Sequence, residues 1–212
     1  MSARRPAHIG FIPDGNRRWA VDRGRSKSEG YEDGVRPGLG LLEACVAEGI
    51  GEISIYGFTK ANVHRPAEQV EAFKTACVHF GLEAVAHGAA LSVVGDSASA
   101  AFPQELRAYA HERSPGKIRV NLVANYDWRW DLQAAGSNGR KGPRSRAWAS
   151  SDIPDIDLVV RWGGRRRLSG FLPLQSAHAD IYVVDTLWPD MKLEEFHDAL
   201  AWYGKQDVTR GG

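Results

Sequence analysis

Two cysteines in 212 residues, Cys45 and Cys77, are too few and too far apart to staple a fold or to build a thiolate metal centre. Both sit in apolar, helix-like contexts, so they are expected as buried free thiols, which suits a reducing, cytoplasmic compartment. An excess of charge of one sign is missing as well. Lys plus Arg number 27 against 26 Asp plus Glu, and a net charge of +1 gives no global field for gathering nucleic acid, so no nucleic-acid partner is expected. Any anion site must be local. No apolar run approaches the roughly 20 residues of a membrane span, and no apolar core follows the opening Met-Ser-Ala-Arg-Arg-Pro. A soluble protein is expected, one that an oily ligand would bring only transiently to a membrane surface.

Several chemical motifs are also missing. There is no G-x-G-x-x-G after the first apolar stretch and no G-x-x-x-x-G-K-[ST], which removes the strongest signals for dinucleotide and P-loop nucleotide binding. A G-x-S-x-G nucleophile elbow, an H-E-x-x-H pair and a D-D-x-x-D cluster are lacking too. What remains is a pair of basic, glycine-containing loops and one conspicuous aspartate.

The first loop is Arg161-Trp162-Gly163-Gly164-Arg165-Arg166-Arg167-Leu168-Ser169-Gly170, which follows the apolar run 156–160. Such a run ended by Gly-Gly reads as a buried strand emptying into a loop at its carboxyl end, where open α/β sheets bind ligands. Glycines admit an anion close to the backbone, arginine forks match phosphate oxygens in pairs, and a serine hydroxyl adds a donor. Three consecutive arginines alone would read as a solvated face. The second loop, Pro13-Asp14-Gly15-Asn16-Arg17-Arg18-Trp19-Ala20, follows a short apolar strand at 9–12. Asp14 and Asn16 are capping residue types, and a helix starting near Asn16 would present free N–H groups beside Arg17 and Arg18. Asp14 is out of place in an anion site unless a divalent cation lies between them.

In order, the spacing predicts a helix from about residue 31 or 37 to 48, and a strand at 52–57 opening into a polar loop that offers Asn62 and Arg65. A helix over 67–87 follows, with Val70, Phe73, Cys77 and Phe80 on one stripe. Beyond it come a strand at 91–94, a helix over 102–112, a strand at 118–124, a Gly-, Ser-, Lys- and Arg-rich surface loop over 136–146, a strand at 181–184, and a closing helix over 193–203 with Phe196, Leu200 and Tyr203 inward. Alternating strands and helices predict a single α/β domain spanning 1–212, with a mostly parallel sheet of about six strands and helices on both faces.

His8-Ile9-Gly10-Phe11-Ile12-Pro13-Asp14-Gly15-Asn16-Arg17-Arg18-Trp19-Ala20 resembles the opening signature of the cis-prenyltransferases, the undecaprenyl diphosphate synthase family. Asn125-Tyr126-Asp127-Trp128-Arg129-Trp130-Asp131 resembles that family's middle motif. Its closing signature is matched by Arg161, Arg167-Leu168-Ser169, Gln175 and Leu187-Trp188-Pro189. The match runs in order over nearly the whole chain. It implies a homodimer, an elongated apolar tunnel and two diphosphate sites at the tunnel mouth. By position, Asp14 would hold Mg2+ against an allylic diphosphate surrounded by Gly15, Asn16, Arg17, Arg18, Trp19, Lys27, Tyr31 and Arg65. Asn62 would stand near the reacting carbons, and Arg161, Arg167 and Ser169 would hold isopentenyl diphosphate. Asp180 stands where the family usually has a metal-binding Glu, and Phe73, Cys77 and Phe80 would wall the tunnel.

There are departures from the family pattern. Lys27 and Tyr31 replace the usual Arg and His, Val63 a Trp, Trp162 a small polar residue, Arg165 a Glu and Gly170 an Asn; Gln69 stands at a common Glu position, and the ending Thr209-Arg210-Gly211-Gly212 is altered. The helix over 67–87 looks about one turn shorter than in long-chain members. The resemblance therefore implies condensation of isopentenyl diphosphate with a dimethylallyl, geranyl or farnesyl primer to a short or medium Z-prenyl diphosphate. Head-to-middle coupling of two allylic diphosphates and a noncatalytic subunit of a heteromeric enzyme are the alternatives.

Overall fold

The computed structural model describes residues 4–133 and 148–207. The surface loop expected over 136–146 and the ending that includes Arg210 lie outside the described residues.

Six strands form one sheet: β1 His8–Ile12, β2 Glu52–Tyr56, β3 Ala89–Val94, β4 Ile118–Val123, β5 Leu158–Arg161 and β6 Asp180–Val183. Every pairing is parallel, in the order β3-β4-β2-β1-β5-β6. All five residues of β1 and all four of β5 are buried, as expected of strands covered on both faces. From β1 the sheet grows in one direction through β2 and in the other through β5. Ligands collect outside the carboxyl ends of strands at such a reversal, and the two loops singled out in the sequence leave β1 and β5 there.

Three long helices cover one face: α2 Val35–Ala47, α3 Ala67–Ala86 and α5 Leu193–Tyr203. They pack on Phe11, Ile53, Ile55, Leu122, Val160 and Trp162. Helix α5 has the bounds expected from its amphipathic spacing, with Phe196 and Tyr203 buried and Leu200 partly so. The two short helices are α1 Asn16–Asp22 and α4 Trp128–Gln133. Against the opposite face lie Tyr126, Ile153, Ile156, Phe171 and Leu172, with Trp130 of α4 packed beside them. Helix α4 lies on this second face, so helices flank the sheet as expected, and among the described residues the rest of this face is covered by non-helical chain. It also carries a buried polar row in which His8 Nε2 lies 2.9 Å from Ser54 Oγ, while Asn121 donates to Ser54 Oγ (3.1 Å) and to Glu52 (2.8 Å). Each buried polar group there has partners, as burial requires.

Two other expectations change. Residues 102–112 are not one helix but two short 3-10 turns, Gln104–Leu106 and Ala108–Ala110. Phe102, Pro103 and Leu106 are the buried residues there, too short a stripe to anchor a long helix. Residues Glu29–Gly34 form a 3-10 turn that runs directly into α2, and Pro37 falls in the first helical turn, where its missing N–H costs nothing.

Candidate active site

The carboxyl end of β1 delivers Asp14. Gly15 after it has φ +122°, a conformation that glycine adopts without strain, and the Asp14 carbonyl accepts from Trp188 N at 3.1 Å. Gly15 is the N-cap of α1, and no side chain caps that helix. The expected capping roles of Asp14 and Asn16 are therefore corrected, and the Asp14 carboxylate faces arginines instead. With only seven residues, α1 also contributes little dipole, so anion binding here falls mainly to side chains.

Register places Arg161 of β5 beside Ile12 at the end of β1. Arg161 is 3% exposed; its Nη2 donates to Asp14 Oδ2 at 2.8 Å and its Nη1 to Ser169 Oγ at 3.0 Å and to the Arg167 carbonyl. Its buried Nε has no partner. Arg18 reaches over from α1, donating to the Gly163 carbonyl at 2.8 Å and lying 3.5 Å from Asp14 Oδ1. Gly163, at φ +86°, leaves no room for a side chain: a Cβ there would sit 2.6 Å from Arg18 Nη2 and 2.7 Å from the Asp14 carbonyl oxygen. The two loops are interlocked through Asp14, Arg18, Arg161 and Gly163.

Around them opens a cleft of about 450 Å3 lined by Asp14, Gly15, Asn16, Arg17, Arg18, Asp22, Lys27, Tyr31, Arg65 and Phe73. Four cationic side chains and two carboxylates give it a local positive balance in a nearly neutral protein. Arg17 Nε and Asn16 Oδ1 are buried without partners, an expensive arrangement unless a ligand completes it. Arg65 Nη1 donates to the Tyr31 hydroxyl at 2.7 Å, and burial raises the Tyr31 pKa.

Past Phe73 the cleft narrows into an apolar channel of about 60 Å3 between α2, α3 and the sheet, lined by Val35, Gly38, Ile55, Phe73, Ala76, Cys77, Phe80, Leu122 and Trp188. The three residues expected to wall a tunnel, Phe73, Cys77 and Phe80, meet here. Cys77 and Cys45 are both free and buried, and burial pushes the Cys77 thiol up to about 12.

Other expected site residues lie elsewhere. Asp180 starts β6 beside Leu158, at the amino end of the sheet, and pairs with Arg4 at 2.9 Å. Within one chain it does not join Asp14, because the strand runs away from that edge. Trp19 turns from the cleft, donating to Asp190 at 2.8 Å. Asn62 spends its Oδ1 on the Thr59 N–H at 2.9 Å, capping a 3-10 turn, and lines neither the cleft nor the channel. The Arg167 side chain is exposed, and its carbonyl rather than its guanidinium meets Arg161. Trp162 is fully buried, its indole donating to Glu195 at 3.1 Å and packing 5.0 Å from the Trp188 ring, so it does not enter the substrate space.

Two further residues shape the site without belonging to any of the sequence motifs. Tyr56, the last residue of β2, donates to the Ser169 carbonyl at 2.8 Å and lines the channel; its position at a strand's carboxyl end was the available signal. Gly38 in α2 lets Phe80 lie against the helix backbone, a Cβ there falling 3.1 Å from Phe80 Cε2.

No group of three or more His, Cys, Asp or Glu that could hold a metal ion occurs among the described residues. Asp14 alone fits an ion that takes most of its ligands from water and phosphate oxygens, the preference of Mg2+.

Residues 12–211 match the family described as putative undecaprenyl diphosphate synthase. An isoprenyl transferase of Nitrosomonas europaea is 32% identical over 97% of this chain and 85% of its own length. The ditrans,polycis-undecaprenyl-diphosphate synthase, (2E,6E)-farnesyl-diphosphate specific, of Pectobacterium atrosepticum is likewise 32% identical, over 98% of this chain and 90% of its own. In fold, the chain is similar to lavandulyl diphosphate synthase from Lavandula x intermedia, solved with dimethylallyl diphosphate, at a TM-score of 0.84 and 22% identity over 98% of this chain and 99% of that one. With the interlocked Asp14 and Arg161 loops at the mouth of an apolar channel, these matches place the chain in the undecaprenyl diphosphate synthase family of cis-prenyltransferases.

Proposed function

We propose that this chain condenses isopentenyl diphosphate with an allylic diphosphate primer and stops at a short or medium Z-prenyl diphosphate, about three to five isoprene units long, releasing diphosphate. The observation that carries the reading is the continuity of a cationic cleft with a narrow apolar channel lined by Phe80, Gly38 and Trp188. A diphosphate head suits the first and a prenyl tail the second. Each isoprene unit entering the channel gains roughly 25 cal/mol per Å2 of buried apolar surface, so available depth decides where elongation stops. The relatives named above include an undecaprenyl synthase, a much longer product; the narrow channel here supports a shorter one.

In this reading Arg17, Arg18, Lys27 and Arg65 hold the primer's diphosphate, and Arg161 with Ser169 holds that of isopentenyl diphosphate. Asp14 is the residue that would hold Mg2+, which when bound supplies neutralisation of the leaving diphosphate. As the allylic C–O bond breaks, the guanidinium groups carry the growing negative charge on the leaving oxygens, and the isopentenyl double bond attacks the allylic carbon. The proton then leaves to an oxygen of the departing diphosphate. A homodimer working in the cytoplasm fits the family. The gathering of Asp14, Arg18 and Arg65 around one cleft, with Arg161 and Ser169 joined to it through the Arg161–Asp14 pair, speaks against a noncatalytic subunit. The buried position of Trp162 removes one reason to favour head-to-middle coupling.

The test of product length is Phe80→Ala. It deepens the channel and shifts the main product to longer chains by mass spectrometry; an unchanged distribution would place the stop elsewhere.

A further inference from the structure

Asp14 is gripped by two guanidinium groups that come from different halves of the site. Its Oδ2 takes Arg161 Nη2 at 2.8 Å, and its Oδ1 lies 3.5 Å from Arg18 Nη2. Arg161 is almost wholly buried and Asp14 about one-third exposed, so the pair sits at the boundary between protein and cleft. A buried guanidinium needs an anion beside it, and in this protein Asp14 supplies it. The other Nη of Arg161 points to Ser169, the residue that shares its proposed diphosphate.

We propose that Asp14 is a placeholder anion. In the substrate-free protein its carboxylate occupies the edge of Arg161 that an incoming diphosphate uses, and arrival of that diphosphate releases the carboxylate into the neighbouring cleft. The inference rests on the assignment of Arg161 to isopentenyl diphosphate. The Nη2–H that Asp14 holds at 2.8 Å is not open to a phosphate oxygen, and the two anions repel one another across the shared guanidinium when no cation lies between them, so they compete. Filling the Arg161 site therefore prepares Asp14 for the primer side, and by linkage anything that draws Asp14 away strengthens diphosphate binding at Arg161. Two substrates that must react together are thus coupled through one side chain.

The test needs no metal and no turnover. Isopentenyl diphosphate is titrated calorimetrically, in EDTA, into the wild-type protein and into Asp14→Asn, Asp22→Asn and Arg161→Gln. Asp14→Asn, isosteric but uncharged, binds about tenfold more tightly than wild type, a typical coupling factor. Asp22→Asn, which removes an exposed carboxylate from the same cleft, changes affinity by less than about twofold, because a solvated charge is screened. Equal gains from both aspartate variants would reduce the effect to general repulsion and overturn the proposal. So would no gain from Asp14→Asn while Arg161→Gln abolishes binding, which leaves the assignment of Arg161 standing. Undiminished binding by Arg161→Gln would overturn that assignment and the placeholder with it.

Discussion

The ring of Tyr31 lies flat on that of Phe73, centroids 4.5 Å apart and planes 9° from parallel, where the arginine-lined cleft becomes the apolar channel. Phe58 meets the Phe73 ring edge-on at 5.8 Å, and the Arg65 guanidinium stands 5.7 Å from the Phe73 ring centre. The Tyr31 hydroxyl accepts from that same guanidinium. In the proposed reading, the charged head and oily tail of the allylic substrate part company at this stack.

Tyr31→Phe keeps the stack and deletes only the hydroxyl that orients Arg65. The KM for the allylic primer is expected to rise roughly three- to tenfold, the size of one ordinary hydrogen bond, with the KM for isopentenyl diphosphate unmoved in initial-rate kinetics. A rise confined to isopentenyl diphosphate would put the primer in the other site.

Asp14→Ala is expected to cut kcat by at least roughly 10^2- to 10^3-fold while the far-UV circular dichroism stays that of the wild type, because its role is in neutralising charge that develops as the bond breaks. Near-normal turnover at saturating Mg2+ contradicts the role.

Arg161→Ala should raise the KM for isopentenyl diphosphate roughly ten- to hundredfold, as expected for a lost charge-assisted pair. Arg167→Ala, at an exposed side chain, should raise it less. Steady-state kinetics with the primer held saturating compares the two, and a larger effect at Arg167 would refute the buried arginine's primacy.

His8 offers a pH test of the fold. Burial holds its imidazole below the ordinary 6.5, against the opposing pull of Glu52 and Asp157, and its Nδ1 lies 3.1 and 3.2 Å from the Pro154 and Asp155 carbonyls. Between the lowered folded value and 6.5 the unfolded chain binds a proton that the folded chain refuses, so stability is full above pH 6.5 and falls as the pH drops below it. The slope is at most about 1.4 kcal/mol per pH unit from this one group. Urea unfolding at pH 7.5 and 5.5 should show the loss in the wild type and a shallower one in His8→Gln; identical losses would assign it to other groups.

Much of this arrangement is legible in the sequence. Continuous apolar runs ended by Pro-Asp-Gly and Gly-Gly mark β1, β5 and the two loops, because buried parallel strands leave a strong, simple pattern. Helix α5 is legible for the same reason, its apolar spacing setting both ends. Trp162 is misjudged when grouped with the arginines that follow it. The period of two along β5 sends it with Leu158 and Val160 to the helical face, and Arg161 to the other side, where it meets Asp14. Asp180 is lost to register, since its distance from Asp14 depends on which residue of β6 pairs with Leu158. The channel wall that sets Trp188 beside Gly38 joins residues 150 positions apart, and no local pattern encodes that contact.

The central claim is that this cleft joins isopentenyl diphosphate to an allylic primer and that its channel ends the chain early. The direct measurement is the mass of the product formed with Mg2+ from isopentenyl diphosphate paired in turn with dimethylallyl, geranyl and farnesyl diphosphate, alongside dimethylallyl diphosphate alone. A prenyl diphosphate of about three to five units, formed only when isopentenyl diphosphate is present, is the predicted result. A product of ten or more units, a product from dimethylallyl diphosphate alone, or no product with any primer from the folded protein would contradict it.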